Sequence, residues 1–268
     1  MGKSTVRKIV IEVTQRLWDV LYEKHMPVPS QENFKNIAND FYNIWNFPNC
    51  LGALDGKHIR LRCPRDSGSM FFNYKGYFSI VLQALVDANY RFINIDVGGY
   101  GKQSDGGTFK ASLLYKKMVQ GTLNIPKSSK LPNSNLKLPY VIIADEAYPL
   151  MKNLLKPYSK QDLNPGKEMF NKRLSRARRT VECAFGILRA KWQILDKPIL
   201  TDVKIADKII KAICILHNVI IDMEGMEHNL QEFQIYNHVP NQRNIGGRFN
   251  DEAKAVRDGF QTYFMQNN

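Results

Sequence analysis

Four carboxylates in this chain stand where a rigid element can aim them at one point. Asp55 follows the apolar run Leu51–Leu54, and Asp145 follows the apolar run Tyr140–Ala144. Asp105 opens a helical stretch, and Glu182 lies inside a long amphipathic one. Cutting a phosphodiester needs an activated water or hydroxyl and a positive clamp on the leaving oxygen. Two Mg²⁺ or Mn²⁺ ions about 3.5–4 Å apart supply both, and such hard cations take oxygen ligands. A site of that kind collects three or four carboxylates from separate elements, often at the carboxyl ends of strands. The chemistry expected of this set is metal-dependent cleavage of a phosphodiester.

Each member also has an ordinary reading. Asp is common where a strand turns, and Asp105 suits a helix N-cap. Glu182 can be half of an i, i+4 pair with Arg178, worth a few tenths of a kcal/mol. Their company favours the metal. Asn171, Arg178, Glu182 and Arg189 share one stripe of the long helix, so Glu182 is expected to face a cleft with Arg178 and Arg189 on phosphates. The run Lys172-Arg173-Leu174-Ser175-Arg176-Ala177-Arg178-Arg179 adds cations to the same helix. We read Lys172, Arg173, Arg176, Arg178 and Arg189 as a DNA backbone track. With 38 Lys and Arg against 25 Asp and Glu, the net charge is +13. Such an excess favours a polyanionic partner, because neutralising phosphates releases condensed counterions.

Other chemistries find less support. Gly98-Gly99-Tyr100-Gly101-Lys102 lacks the spacing of a P-loop or dinucleotide fingerprint. His58 and His217 have no Ser or Cys at a recognisable nucleophile elbow. His217, in an apolar helix, reads as a hydrogen-bonded structural residue. The cysteines at 50, 63, 183 and 214 form no Cys-x-x-Cys pair, which argues against zinc and against a disulfide framework. No apolar run reaches the roughly 18–20 residues of a membrane span, and no secretory leader is read at the start. A soluble, intracellular protein is expected.

The elements that must position the carboxylates follow from periodicity. Apolar residues at helical spacing predict a helix through Val6, Ile9, Val10, Val13, Leu17 and Leu21, and another over 31–46. The run Leu51–Leu54 predicts a short strand ending on Asp55-Gly56, with a second strand through His58, Ile59 and Leu61. Tyr77–Val86 and Arg91–Val97 read as a hairpin turning at Asp87-Ala88-Asn89. A glycine-rich loop, a helix from about Phe109 to Val119, and the buried strand Tyr140–Ala144 follow. Long helices are expected over about 167–195 and 203–223. Domain boundaries fall at 1–47 (a helical remnant of a shortened helix-turn-helix region), 48–224 (the catalytic domain) and 225–268 (a weakly ordered tail). The expected class is α/β: an RNase H-like mixed sheet flanked by helices, with a short helical N-terminal extension.

Six ordered motifs resemble the PIF/Harbinger transposases and the nucleases derived from them. They are Gly52-Ala53-Leu54-Asp55-Gly56-Lys57-His58-Ile59, Ser104-Asp105-Gly106-Gly107-Thr108-Phe109, and Ala144-Asp145-Glu146-Ala147-Tyr148-Pro149-Leu150. Phe170 to Arg178, Glu182-Cys183-Ala184-Phe185-Gly186 and Leu216-His217-Asn218 complete the set. The family often has His where Ser104 stands and Arg where Cys183 stands. The resemblance implies a DDE-type nuclease with divalent metal carried by Asp55, Asp105, Asp145 and Glu182. It also implies DNA as substrate, a nuclear site of action with the cytoplasm left open, and a separate Myb-like DNA-binding protein as partner. A homo-oligomer is left open. The alternative is a non-catalytic, transposase-derived DNA-binding or interaction protein.

Overall fold

The computed structural model describes residues 1–225 and 251–267. Two helices lead in: α1 (Lys3–His25) and α2 (Gln31–Trp45). Ser30 starts α2 with a capping box, its hydroxyl accepting from Asn33 N while the Asn33 side chain accepts from Ser30 N. The chain then lays down β1 (Cys50–Arg60), β2 (Ser79–Val86) and β3 (Phe92–Tyr100) as an antiparallel meander. Asp87 makes the turn between β2 and β3, its carboxylate accepting from Asn89 N and Arg91 N.

Two short helices follow, α3 (Asp105–Ala111) and α4 (Leu113–Val119). The single helix expected here is broken at Ser112, whose backbone is extended and whose hydroxyl accepts from Tyr115 N to start α4 afresh. After the small ladder β4 (Ser129–Lys130) and β5 (Lys137–Leu138) come β6 (Val141–Ala144) and β7 (Leu154–Leu155). Long helices α5 (Pro165–Lys191) and α6 (Val203–Glu224) follow, then α7 (Asp251–Gln266). Asn164 caps α5 and Pro165 occupies its first turn, where a missing N–H is harmless.

The main sheet runs β3-β2-β1-β6-β7, with β6 and β7 parallel to β1 and to each other. This is the RNase H-like α/β arrangement that the sequence predicts. β2 is buried along its whole length, as expected of a strand covered on both faces. One layer of core joins Ala53, Leu82 and Ile143 to Leu174, Val181 and Ala184 of α5. The opposite layer joins Leu54, Leu85 and Ile142 to Phe34 of α2 and Phe109 of α3. His217 on α6 hydrogen-bonds the Tyr90 carbonyl, and the Asn218 amide brackets both Phe92 N and Phe92 O. Among the described residues no helix is long and apolar enough to cross a membrane.

Two expectations are corrected. Asp55-Gly56 is no strand end: β1 continues unbroken through it, because Asp55 and Gly56 keep their register with Ala84 and Gln83 of β2. The C-terminal segment is also more than a tail. Residues 251–266 form α7, whose Ala253, Val256, Phe260 and Phe264 are buried. Phe47 stacks on Phe260 and makes an edge contact with Phe264, beside Phe170 of α5. These apolar residues recur at spacings of three and four, so a stripe was present amid the polar residues around it. Residues 226–250 lie outside the described part of the chain.

Candidate active site

β1 and β6 are parallel neighbours, and Leu54 pairs with Ala144. Asp55 is the next residue of β1 and Asp145 the first residue after β6, so both carboxylates are placed side by side towards α5. Glu182 on α5 meets them from the helix layer, joined through Arg178, which lies one turn earlier on the same face. Arg178 Nη2 is 2.5 Å from Glu182 Oε1, and Nη1 is 3.7 Å from Asp55 Oδ2. Arg178 is only 9% exposed. Helical spacing predicts an open face against phosphate for this residue; the structure buries it as counter-ion to two carboxylates.

Asp105 enters from the other side of the sheet. Gly56, one residue after Asp55, points its missing side chain that way, and a Cβ there would collide with Asp105 Oδ1. Asp105 is not the helix cap. Ser104 fills that role by accepting from Gly107 N, which leaves the Asp105 carboxylate to the site. The start of α3 is pressed onto the loop after β6, since a Cβ on Gly106 would sit 2.5 Å from the Ala147 carbonyl oxygen.

The electrostatics carry the mark of crowded acids. Burial first, then the charges of Asp55 and Asp145, push Asp105 up to about 7. Burial and Asp55 push Asp145 up to about 6, against the opposing pull of Arg178 and the N–H that Ala147 donates to its Oδ1 at 2.9 Å. Glu182 is raised by burial, with Arg178 opposing. Among the described residues, no three His, Cys, Asp or Glu side chains stand together as a ready metal cage. The donor set still fits a hard divalent cation: all oxygen, mutually repelling, and balanced by the Arg178 guanidinium.

The predicted basic track divides. Lys172 and Arg176 are exposed on α5, with Arg179 beside them. Arg173 lies close enough to Tyr263 of α7 to act on its hydroxyl. Arg189 pairs with Asp196. Asn171, placed on the same stripe, clamps the loop before α5 by bonding both Tyr158 N and Tyr158 O.

Lys57, Tyr148 and Lys156 also surround the acids, and helical or strand spacing alone does not single them out. Lys57 has its pKa lowered by burial, while Asp55 and Glu182 act in the opposite sense. The alternation along β1 was the available signal, because Lys57 is two residues past Asp55 and shares its face. Tyr148 is buried, accepts from Gln83 Nε2 at 3.3 Å, and has its pKa raised well above the usual value by burial and then by Asp105, Asp55 and Asp145. Lys156 Nζ donates to the Glu146 carbonyl at 3.1 Å, tying down the loop that follows Asp145.

Fold and site together define an RNase H-like domain with four acids around a strand pair. Residues 54–218 match the family model described as DDE superfamily endonuclease, and the chain belongs to that family. The family implies use of a divalent metal. "Protein ALP1-like" of Arabidopsis thaliana is 33% identical over 264 residues, covering 96% of this chain and 63% of that protein. A second Arabidopsis thaliana protein, "Antagonist of Like Heterochromatin Protein 1", is 27% identical over 227 residues, covering 83% of this chain and 56% of that one. "Putative nuclease HARBI1" of Rattus norvegicus is 21% identical over 231 residues, covering 85% of this chain and 61% of that one. The chain thus spans less than two thirds of the length of these relatives. No solved structure matches it.

Proposed function

We propose that this chain is a divalent-metal-dependent DNA endonuclease of transposase origin, acting in the nucleus. The observation that carries the reading is the paired departure of Asp55 and Asp145 from adjacent parallel strands, with Asp105 and Glu182 reaching the same place from flanking helices. Asp55, Asp105, Asp145 and Glu182 are the residues to hold Mg²⁺ or Mn²⁺. Such ions, when bound, activate the attacking water or hydroxyl and stabilise the leaving oxygen. Arg178 and Lys57 balance the acids while Lys172 and Arg176 offer exposed charge to the DNA backbone. A Myb-like protein that selects the target is the partner this reading expects.

A second reading, a non-cutting DNA-binding or interaction protein, is favoured by the name of the 27% identical Arabidopsis relative, "Antagonist of Like Heterochromatin Protein 1". Plasmid nicking decides between them. Supercoiled DNA should be nicked or linearised by the purified chain with Mg²⁺ or Mn²⁺, and left intact with EDTA or by Asp55→Asn. Equal cutting by the wild type and Asp55→Asn would overturn the nuclease assignment.

A further inference from the structure

Between β1 and β2 the chain makes an excursion, residues 61–78, rich in aromatic and basic side chains. Phe72 and Tyr74 are 44% and 51% exposed, and Met70 and Tyr100 stand nearby with 46% and 40%. Exposed apolar and aromatic side chains gathered on one segment mark a candidate contact site. The only acid within the excursion is Asp66, against Arg62, Arg65 and Lys75.

The excursion is built to hold its shape. Asn73 is buried, donates to Ser79 Oγ at 2.8 Å, and accepts from Lys75 N and Tyr77 N. Phe72 packs edge-on against Phe78, and Ser79 N donates to the Phe71 carbonyl. Rings placed on so constrained a turn lose little freedom when a partner stacks on them.

Its position relative to the acids matters most. His58 lies on the face of β1 that also carries Gly56, the residue over which Asp105 sits. Tyr74 contacts the His58 ring edge-on, with centroids 5.7 Å apart. The Lys75 charge is felt by both Asp105 and His58. Asp105, His58 and Tyr74 therefore follow one another along the face opposite the one that Asp55 presents to α5, with about 7 Å of strand separating Gly56 from His58.

We propose that Tyr74 and Phe72 form a stacking platform for unpaired bases of the DNA substrate beside the cleavage site, with Lys75 and Arg62 on its phosphates. Every base offers a π-face, so this contact recognises single-strandedness and not sequence. A platform here holds open the strand whose phosphate enters the carboxylate site. The inference rests on the DNA-cutting reading above, yet it can fail separately.

The test is fluorescence anisotropy of the full chain, in EDTA, on a labelled thymidine oligonucleotide and on a labelled duplex of equal length. Tyr74→Ala with Phe72→Ala should weaken single-strand binding about ten-fold and leave duplex binding unchanged. Tyr74→Trp with Phe72→Trp should keep the single-strand affinity. Lys75→Ala should weaken both substrates and flatten the salt dependence. Equal losses on both substrates in the alanine pair, or no loss on either, would overturn the platform. Because no metal is present, failure of plasmid cleavage would sink the nuclease reading and leave this result standing.

Discussion

Asp105 reaches the acidic site through space that Gly56 leaves empty: a single methyl on Gly56 would strike the Asp105 carboxylate. The glycine after Asp55 is thus part of the site's geometry while β1 runs straight through it. Gly56→Ala should keep the fold, since the residue is extended and paired with Gln83. It should lower metal-dependent nicking about a hundred-fold, the usual scale for a displacement of about an ångström in a catalytic group. A plasmid assay beside a circular-dichroism melt checks this, and wild-type cutting by the variant would refute it.

The crowded acids make a prediction about pH. An ordinary carboxyl near 3.8 loses its proton well before Asp145 near 6 or Asp105 near 7, each raised mainly by burial and then by neighbouring acids. Between about pH 4 and 7 these two acids therefore bind fewer protons in the unfolded chain than in the folded one, and their contribution to stability falls as pH rises. His58 and His217, lowered to about 4 by burial, contribute in the opposite sense. In EDTA the contribution of the two acids to the melting temperature should be greater at pH 5 than at pH 8. Asp105→Asn should stabilise the metal-free chain at pH 8 by about 1–2 kcal/mol, less than a full linkage value because the acids titrate as a set. Affinity for Mn²⁺ should run the other way and increase with pH. A variant less stable than wild type in EDTA at pH 8 would contradict the repulsion argument.

Arg178 is the counter-ion that lets Asp55 and Glu182 sit together without metal. Arg178→Met removes the charge and keeps much of the volume, stranding two partly buried carboxylates. A loss of about 2 kcal/mol in EDTA is expected, below the range for fully buried pairs because water still reaches the acids. Mn²⁺ should then raise the melting temperature of the variant more than that of the wild type. Identical metal-induced shifts would show that Arg178 does not balance the site.

Asp145 and Glu146 are adjacent, and only one side chain can join Asp55 on its face. Asp145 has that place, coupled by charge to Asp55 and Asp105, while the Glu146 carbonyl receives Lys156. Asp145→Asn should abolish cleavage with the fold intact, and Glu146→Gln should retain most of it. The reverse pattern in the same nicking assay would reassign the ligand.

Much of this arrangement was legible from the chain alone. Apolar runs before Asp55 and Asp145 located both strands, and helical spacing located Glu182 on α5. Three things were not. The fate of Arg178 depended on which side of α5 the sheet would occupy, a long-range fact that spacing along one helix does not contain. Asp55-Gly56 resembled a turn because its local chemistry is that of one, whereas the ladder with β2 kept it extended. Lys57 was visible in principle, two residues beyond Asp55, but an alternating lysine is ordinary until a buried helix is known to cover it.

Helix α7 has a consequence for how the chain is made. Phe47 precedes the first strand, yet Phe260 and Phe264 close the pocket around it. A ribosome delivers those partners only after every strand of the sheet has emerged. Until then the nascent chain carries Phe47 and Phe170 on an unfinished apolar surface, the kind of exposure that chaperones hold. The contact joins α7 to the residues before β1, so its loop-closure entropy falls late and slows the step that seats α7. Asp55 and Glu182 lie on elements braced by that same layer, and their alignment waits for α7 to emerge.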